Sequence, residues 1–222
     1  MRYDILVKSR LFSGFSVGEI EKILDRIIHT VQSYQKNETV FQPMETADRL
    51  GMILKGCVQS YKLFPNGNQV NVSTRGAGDM IGSAATMSAQ RKYPFLVTAL
   101  ERTEVLMFKR DSFLNLLQSD RRLFENFLME MSTITYMLQQ RLELMSYHGI
   151  GQKVAFFLLA YYTEKGVTAV TIPGSMTKWA LMMNVSRPSL YRELRKMEEK
   201  GLLKYAPPKI EILDPAALEE ML

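Results

Sequence analysis

The spacing of apolar residues changes period twice along the chain. Behind Ser16, residues Ile20, Leu24, Ile27 and Ile28 fall on one helical face, and Glu19 stands where a capping box needs its carboxylate. From Glu38 to about Phe108 the pattern shortens to β-prone runs: Thr39 to Phe41, Met52 to Leu54, Val58 to Phe64, Val70 to Ser73, Leu96 to Leu100 and Glu104 to Phe108. Turn residues separate them, notably Pro65, Asn66, Gly67 and Asn68 and again Gly76 to Asp79. Many short strands so close together predict a small antiparallel barrel or roll.

After Arg110 the strands stop. Asp111 is the expected cap of a short helix carrying Phe113, Leu114, Leu116 and Leu117, and Ser119 with Asp120 opens a much longer one reaching about Tyr147. Along it Phe124, Phe127, Met131, Ile134, Leu138 and Met145 alternate threes and fours, with Arg141 interrupting the seam. A helix packed on its own barrel needs only one apolar face; the length and the narrow stripe favour dimerisation through this helix. Gly149 and Gly151 mark a hinge, which divides the chain into 1–110, 111–148 and 149–222.

The last segment reads helix, β-run, two helices and a closing hairpin. Val154 to Tyr162 is almost wholly apolar, and Val167 to Ile172 is a β-branched run ended by Pro173 and Gly174. Ser175 caps a helix through Met183, Asn184 to Ser186 make a turn, Arg187 to Lys200 form a second helix, and Gly201 stops it. Leu202 to Tyr205, Pro207 with Pro208, and Lys209 to Leu213 form the hairpin, or wing. These are the requirements of a helix-turn-helix: Ala180 is small where the helices approach, Asn184 tolerates the left-handed turn, and Val185, Leu190 and Leu194 face inward. The second helix then exposes Arg187, Ser189, Tyr191, Arg192, Arg195 and Lys196, groups able to read guanine edges or hold phosphates.

Composition narrows the rest. With 222 residues, 46% hydrophobic and 23% charged, the chain is neither a fibre, a disordered tail nor a disulfide scaffold. The net charge of +5 becomes informative only when located: seven basic and three acidic residues lie between Lys178 and Lys204, most of them on the helix that would enter DNA. The single cysteine, Cys57, fits a reducing cytoplasm, and the start, with Arg2, Asp4, Lys8 and Arg10, does not read as a signal peptide. No apolar stretch reaches the ~20 residues of a membrane helix, so no membrane partner is expected. A cupin-like metalloenzyme would need converging histidines; His29 and His148 both stand outside the strand region, and neither an enzyme nor a metal site is expected.

Several of these stretches carry a resemblance. Leu11 to Ser16, Met52 to Val58, Pro65 to Asn68, Gly78 to Gly82, Val105 to Phe108 and, most specifically, Asn184 to Arg192 resemble, in order and spacing, the cyclic-AMP receptor protein/FNR family of bacterial transcription regulators. The resemblance covers nearly all of the chain. It implies an α+β architecture: an N-terminal cyclic-nucleotide-binding-like β-roll (a double-stranded β-helix), a long dimerisation helix and a C-terminal winged helix-turn-helix. It implies a cytoplasmic homodimer on double-stranded DNA with a palindromic operator, and RNA polymerase as a further partner. Arg187 and Arg192 would contact bases, Ser175, Ser186 and Ser189 phosphates, with Tyr191 and Lys196 assisting. Pro188 stands where the family commonly has a base-reading glutamate, so the target sequence differs at that step.

The sensor departs further. Family members that bind cyclic AMP carry a glutamate after the glycine turn and an arginine-serine pair for the phosphate; here Ser83 follows Gly82, and Tyr93 with Pro94 replaces the pair. Burying a phosphate without an arginine is costly, so the expected effector is not cyclic AMP. Arg91 and Lys92, slightly off register, leave a shifted nucleotide site open. Ser83, Tyr93, Leu138 and Gln139 are the candidate effector pocket. The iron–sulfur branch needs an N-terminal cysteine cluster that is missing, and a haem would have only Cys57, His29 or His148 as ligand. No cofactor is expected, leaving an unknown small-molecule effector or none. Met52, Met80, Met87, Met107, Met131 and Met145 could line a deformable interior, though core packing explains them better.

Overall fold

The computed structural model describes residues 3–64 and 69–222, so the turn expected at Pro65 to Asn68 lies outside the described residues. The chain packs as two units, Met1–Thr133 and Ile134–Leu222, where the sequence pattern suggested three segments.

In the first unit a 3₁₀ turn (Asp4–Lys8) and helix α1 (Val17–Leu24) precede strands β1 (Thr30–Tyr34), β2 (Thr39–Phe41), β3 (Arg49–Lys55), β4 (Cys57–Leu63), β5 (Gln69–Gly76) and β6 (Met80–Ile81). Helix α2 (Ser83–Met87), strands β7 (Leu96–Ala99) and β8 (Thr103–Lys109), helix α3 (Arg110–Ser119) and the first half of helix α4 (Arg121–Ser146) follow, the rest of α4 belonging to the second unit. The strands form two four-stranded sheets, ordered β1-β8-β3-β6 and β2-β7-β4-β5, with every pair antiparallel. This is the expected roll, with β1, β6 and α2 added to it.

Strands β3 and β8 are buried on both faces, which is why they read as continuous apolar runs. Leu50, Met52, Leu106 and Phe108 point toward α1, α3 and the start of α4, whereas Ile53, Val105 and Met107 point into the roll with Phe41, Val58, Tyr93 and Val97. Met52, Met80 and Met107 are thus plain core.

The entry into α1 is built as its sequence requires. Ser16 Oγ accepts from the Glu19 amide, and the Glu19 carboxylate accepts from the Ser16 amide at 2.9 Å. Arg122, at the start of α4, reaches Glu19 at 3.0 Å and Asp120 at 2.8 Å and lies over the Phe15 ring. Asp111 does not cap α3: β8 runs straight into the helix, Lys109 holds the cap position without a side-chain bond, and Asp111 sits in the first turn. No loop separates strand from helix, so a capping carboxylate has no place to stand.

Helix α4 corrects the seam. Phe127 turns into the first unit's core, its ring 5.4 Å from that of Phe113, and Met131 packs against the same cluster. Ile134 is half-buried. Phe124, Leu138 and Met145 are exposed, together with Leu128 and Leu142, so the outward stripe takes Leu128 in place of Phe127 and Leu142 in place of the interrupting Arg141. Phe124, Leu138 and Met145 keep their predicted places, and the stripe shifts by one residue only between them.

The second unit contains α5 (Ile150–Lys165), β9 (Ala169–Thr171), α6 (Met176–Met182), α7 (Arg187–Glu199), β10 (Leu203–Ala206), β11 (Lys209–Ile212) and α8 (Pro215–Glu219). The sheet runs β10-β11-β9, so the predicted hairpin gains a third strand from the β-branched run. Gly151 is a close-packing residue within this unit: a Cβ there would lie 2.7 Å from Glu193 Oε1 and 2.9 Å from Met221 Cε. Among the described residues no helix is long and apolar enough to cross a membrane.

Hydrogen bonds from Ser16 and then Arg122 hold the Glu19 carboxyl down at about 2 from an ordinary 4.5. A depressed carboxyl stabilises the fold above its unfolded value and loses that contribution as pH falls through the folded one. Denaturant unfolding followed from pH about 4.5 toward about 2 should therefore show a loss of stability that Glu19→Gln reduces.

Candidate functional site

In the second unit, helix α7 carries four cations, Arg187, Arg192, Arg195 and Lys196. Helix α6 starts at Ser175, whose hydroxyl accepts from the Lys178 amide at 3.2 Å, and Asn184 turns the chain at φ 53°. Helix α7 starts at Ser186, whose hydroxyl accepts from the Ser189 amide at 3.2 Å, with Pro188 tolerated in the first turn. Trp179, Ala180, Leu190, Leu194 and Met197 are buried together, with Val185 packed against them. That locks α6 against α7 and leaves the opposite face of α7 to solvent.

Arg187, Tyr191, Arg192, Arg195 and Lys196 are exposed on that face, and Ser189 is half-buried beside them. They are not equivalent. Arg195 donates to the Tyr191 hydroxyl at 3.0 and 3.1 Å and to Glu198 at 2.8 Å, while Glu198 also accepts from the Tyr205 amide of β10 at 2.9 Å. The bonds to Tyr191 and Glu198 raise the Arg195 pKa, and the Tyr205 amide with Arg195 lowers that of Glu198. With Tyr191 edge-on to Tyr205 at 6.0 Å, this network fastens the recognition helix to the wing. Arg192 makes only a 3.4 Å bond to Ser189, and among the described residues Arg187 and Lys196 form no ion pair. Of the cations on α7, Arg187, Arg192 and Lys196 are the ones left to meet a partner. Ser186 donates its proton to Ser189 Oγ at 2.8 Å, so Ser189 keeps the outward donor of the pair.

One contributor was missed from sequence. Lys153 on α5 is 9% exposed, and its ammonium donates to the Met183 carbonyl at 3.1 Å, at the end of α6 where the turn begins. A lysine immediately before the apolar run starting at Val154 was the available signal, but only the packing shows which carbonyl it meets.

In the first unit, the place expected for an effector is filled by aromatic rings. Gly82 begins α2 at φ 77°, and a Cβ on it would lie 3.0 Å from the Phe41 ring. Phe41 stacks on Tyr93 with centroids 4.3 Å apart and planes 15° apart. Tyr93 is 3% exposed and donates to the Arg49 carbonyl at 2.5 Å; the Thr86 hydroxyl reaches the same oxygen at 2.8 Å. Burial raises the pKa of Tyr93. Ser83 is buried nearby on α2, whereas Arg91 and Lys92 are exposed and bring no charge into the interior. Of the four candidate pocket residues, Ser83 and Tyr93 belong to the first unit, whereas Leu138 and Gln139 belong to the second and are exposed on α4.

The alternative ligands are held locally. Both His29 nitrogens are engaged, Nδ1 with the Ile27 carbonyl at 2.8 Å and Nε2 with the Tyr3 hydroxyl at 3.3 Å. Burial pushes the Cys57 thiol pKa up, and His148 is exposed. Among the described residues no three His, Cys, Asp or Glu side chains gather as a metal would need.

Residues 31–120 match the cyclic nucleotide-binding domain and residues 152–221 the Crp-like helix-turn-helix domain. Similar curated proteins include the probable transcriptional regulator flp of Lacticaseibacillus casei, 22% identical over 202 residues and covering 91% of each chain. The nitrogen fixation regulation protein FixK of Bradyrhizobium diazoefficiens is 25% identical over 224 positions, covering 96% of this chain and 90% of that one. The catabolite activator protein of Thermus thermophilus shares the fold, with a TM-score of 0.56 at 21% identity over 96% of this chain and 98% of that chain.

Removing the Lys153 ammonium leaves the Met183 carbonyl buried without its charged donor. Lys153→Met should destabilise the second unit by about 1–3 kcal/mol in urea unfolding. Lys153→Arg, which restores a donor, should lose less.

Proposed function

The chain belongs to the Crp/Fnr family of bacterial transcription regulators, and we propose that it binds a palindromic DNA site as a homodimer, using α7 to read the major groove and the roll to sense a non-nucleotide effector. The observation that carries this is the exposure of Arg187, Arg192 and Lys196 on one face of a helix whose other face, Leu190, Leu194 and Met197, is buried. A major groove admits such a helix, and arginine is the commonest reader of guanine there. Arg187 and Arg192 are the base readers, Lys196, Ser175 and Ser189 the phosphate contacts, and Arg195 a strut holding Tyr191 and the wing in register.

The homodimer reading rests on the outward stripe of α4. Phe124, Leu128, Leu138, Leu142 and Met145 are large apolar side chains left in water on one helix, at the spacing of a two-stranded coiled coil. Two copies joined there present two recognition helices, as a palindromic operator requires. The effector reading follows from the roll's interior. A cyclic nucleotide would have to displace the Phe41–Tyr93 stack and bury its phosphate with neither Arg91 nor Lys92 inside. The protein acts on transcription in the cytoplasm together with RNA polymerase and performs no catalysis.

Selection from random duplexes at moderate salt should recover a palindromic sequence; no preference, with or without cell extract as effector source, would defeat this reading. Arg192→Ala should then cost about 1–3 kcal/mol at one base pair of each half-site, while Lys196→Ala should weaken all sequences alike and flatten the salt dependence. Equal losses on every sequence for Arg192→Ala would remove it from base reading. Leu142→Glu should shift the protein from dimer to monomer in sedimentation equilibrium with its far-ultraviolet dichroism unchanged.

A further inference from the structure

Where β3 begins and β8 ends, the roll carries a cavity of about 420 Å³ lined by Glu45, Thr46, Asp48, Arg49, Tyr93 and Lys109. This volume lies at the small end of ligand sites, enough for a molecule of modest size. The lining has two carboxylates and two cations. Among the described residues none of the four forms an ion pair with another or with anything else. Lys92, outside the lining, donates to Thr46 Oγ1 at 3.4 Å.

The charges exclude most ligand classes by sign. An anion such as a phosphate meets Arg49 and Lys109 but also the carboxylates of Glu45 and Asp48, and a simple cation meets the converse. A neutral apolar ligand would pair none of the four charges. A molecule carrying both a carboxylate and an ammonium satisfies both halves of the lining with charge-assisted hydrogen bonds.

The cavity is also connected to the sensor interior. Arg49 is among its lining residues, and the guanidinium lies 6.0 Å from the centroid of the Phe41 ring. The carbonyl of the same residue holds the Tyr93 hydroxyl and the Thr86 hydroxyl of α2. A ligand gripping Arg49 therefore pulls on the residue that tethers both the aromatic stack and α2.

We propose that this cavity binds a small zwitterion of the α-amino acid class and that this molecule is the effector, an identification that rests on reading the roll as a sensor. The full chain, without DNA, should be titrated calorimetrically with the proteinogenic L-amino acids one at a time. At least one should bind saturably. Its N-acetyl derivative, lacking the ammonium, and its amide, lacking the carboxylate, should each bind at least about tenfold more weakly. Arg49→Gln and Asp48→Asn should lose affinity by about the same factor. Asp48 is exposed, so its variant keeps the test informative if Arg49→Gln folds poorly. No saturable binding by any amino acid, or binding indifferent to both derivatives and both substitutions, would overturn the proposal. The ligand should also change the protein's affinity for its selected duplex; binding without that change would overturn the effector assignment. Since DNA selection is a separate measurement, failure here with selection intact would leave the regulator reading standing.

Discussion

The carbonyl of Met183 sits where a helix has ended and the chain must turn back, and the buried ammonium of Lys153 takes it. An unpartnered carbonyl in that position would cost as much as several surface contacts supply. With it held, Asn184 can keep its left-handed conformation, Trp179 and Leu190 can close the core, and α7 leaves the turn at a fixed angle. The exposure of Arg187, Arg192 and Lys196 is a consequence of that geometry. Helix α5 thus acts on the recognition helix through one charge-assisted hydrogen bond as well as through apolar contact.

Glu198 works in a similar way on the other side. It accepts from the wing's Tyr205 amide and from Arg195, which ties α7 to β10. Three of the charged side chains on or near the recognition face then have different tasks. Arg195 is spent on holding the assembly, Arg192 is weakly tethered and Arg187 is untethered, which is the distribution expected when rigid support and adaptable contact are needed on one helix.

In the first unit the same economy of polar groups appears around Arg49. Its carbonyl accepts the hydroxyls of Thr86 and Tyr93, its guanidinium lies 6.0 Å from the centroid of the Phe41 ring, and the residue lines the charged cavity. The Phe41–Tyr93 stack fills the interior with apolar area that a nucleotide would have to displace.

The helix-turn-helix was legible from the chain because its signals are local: a small residue, a turn residue, capping serines and an apolar period all act within a few residues of one another. The capping box at Ser16 and the central strands were legible for the same reason. Asp111 misled because a helix can begin directly from a strand, and capping depends on where the backbone changes direction. The α4 seam was ambiguous because an apolar residue at every third or fourth position satisfies two adjacent stripes; only the packing of Phe127 against Phe113 decided which stripe faces inward. Sequence alone determined that this is a roll followed by a DNA-reading helix, since periodicity and capping follow from neighbours in the chain. Tertiary structure decided that Lys153 supports that helix, that Tyr93 occupies the roll and that Leu142 faces outward, because each depends on which residues distant in sequence share one desolvated space.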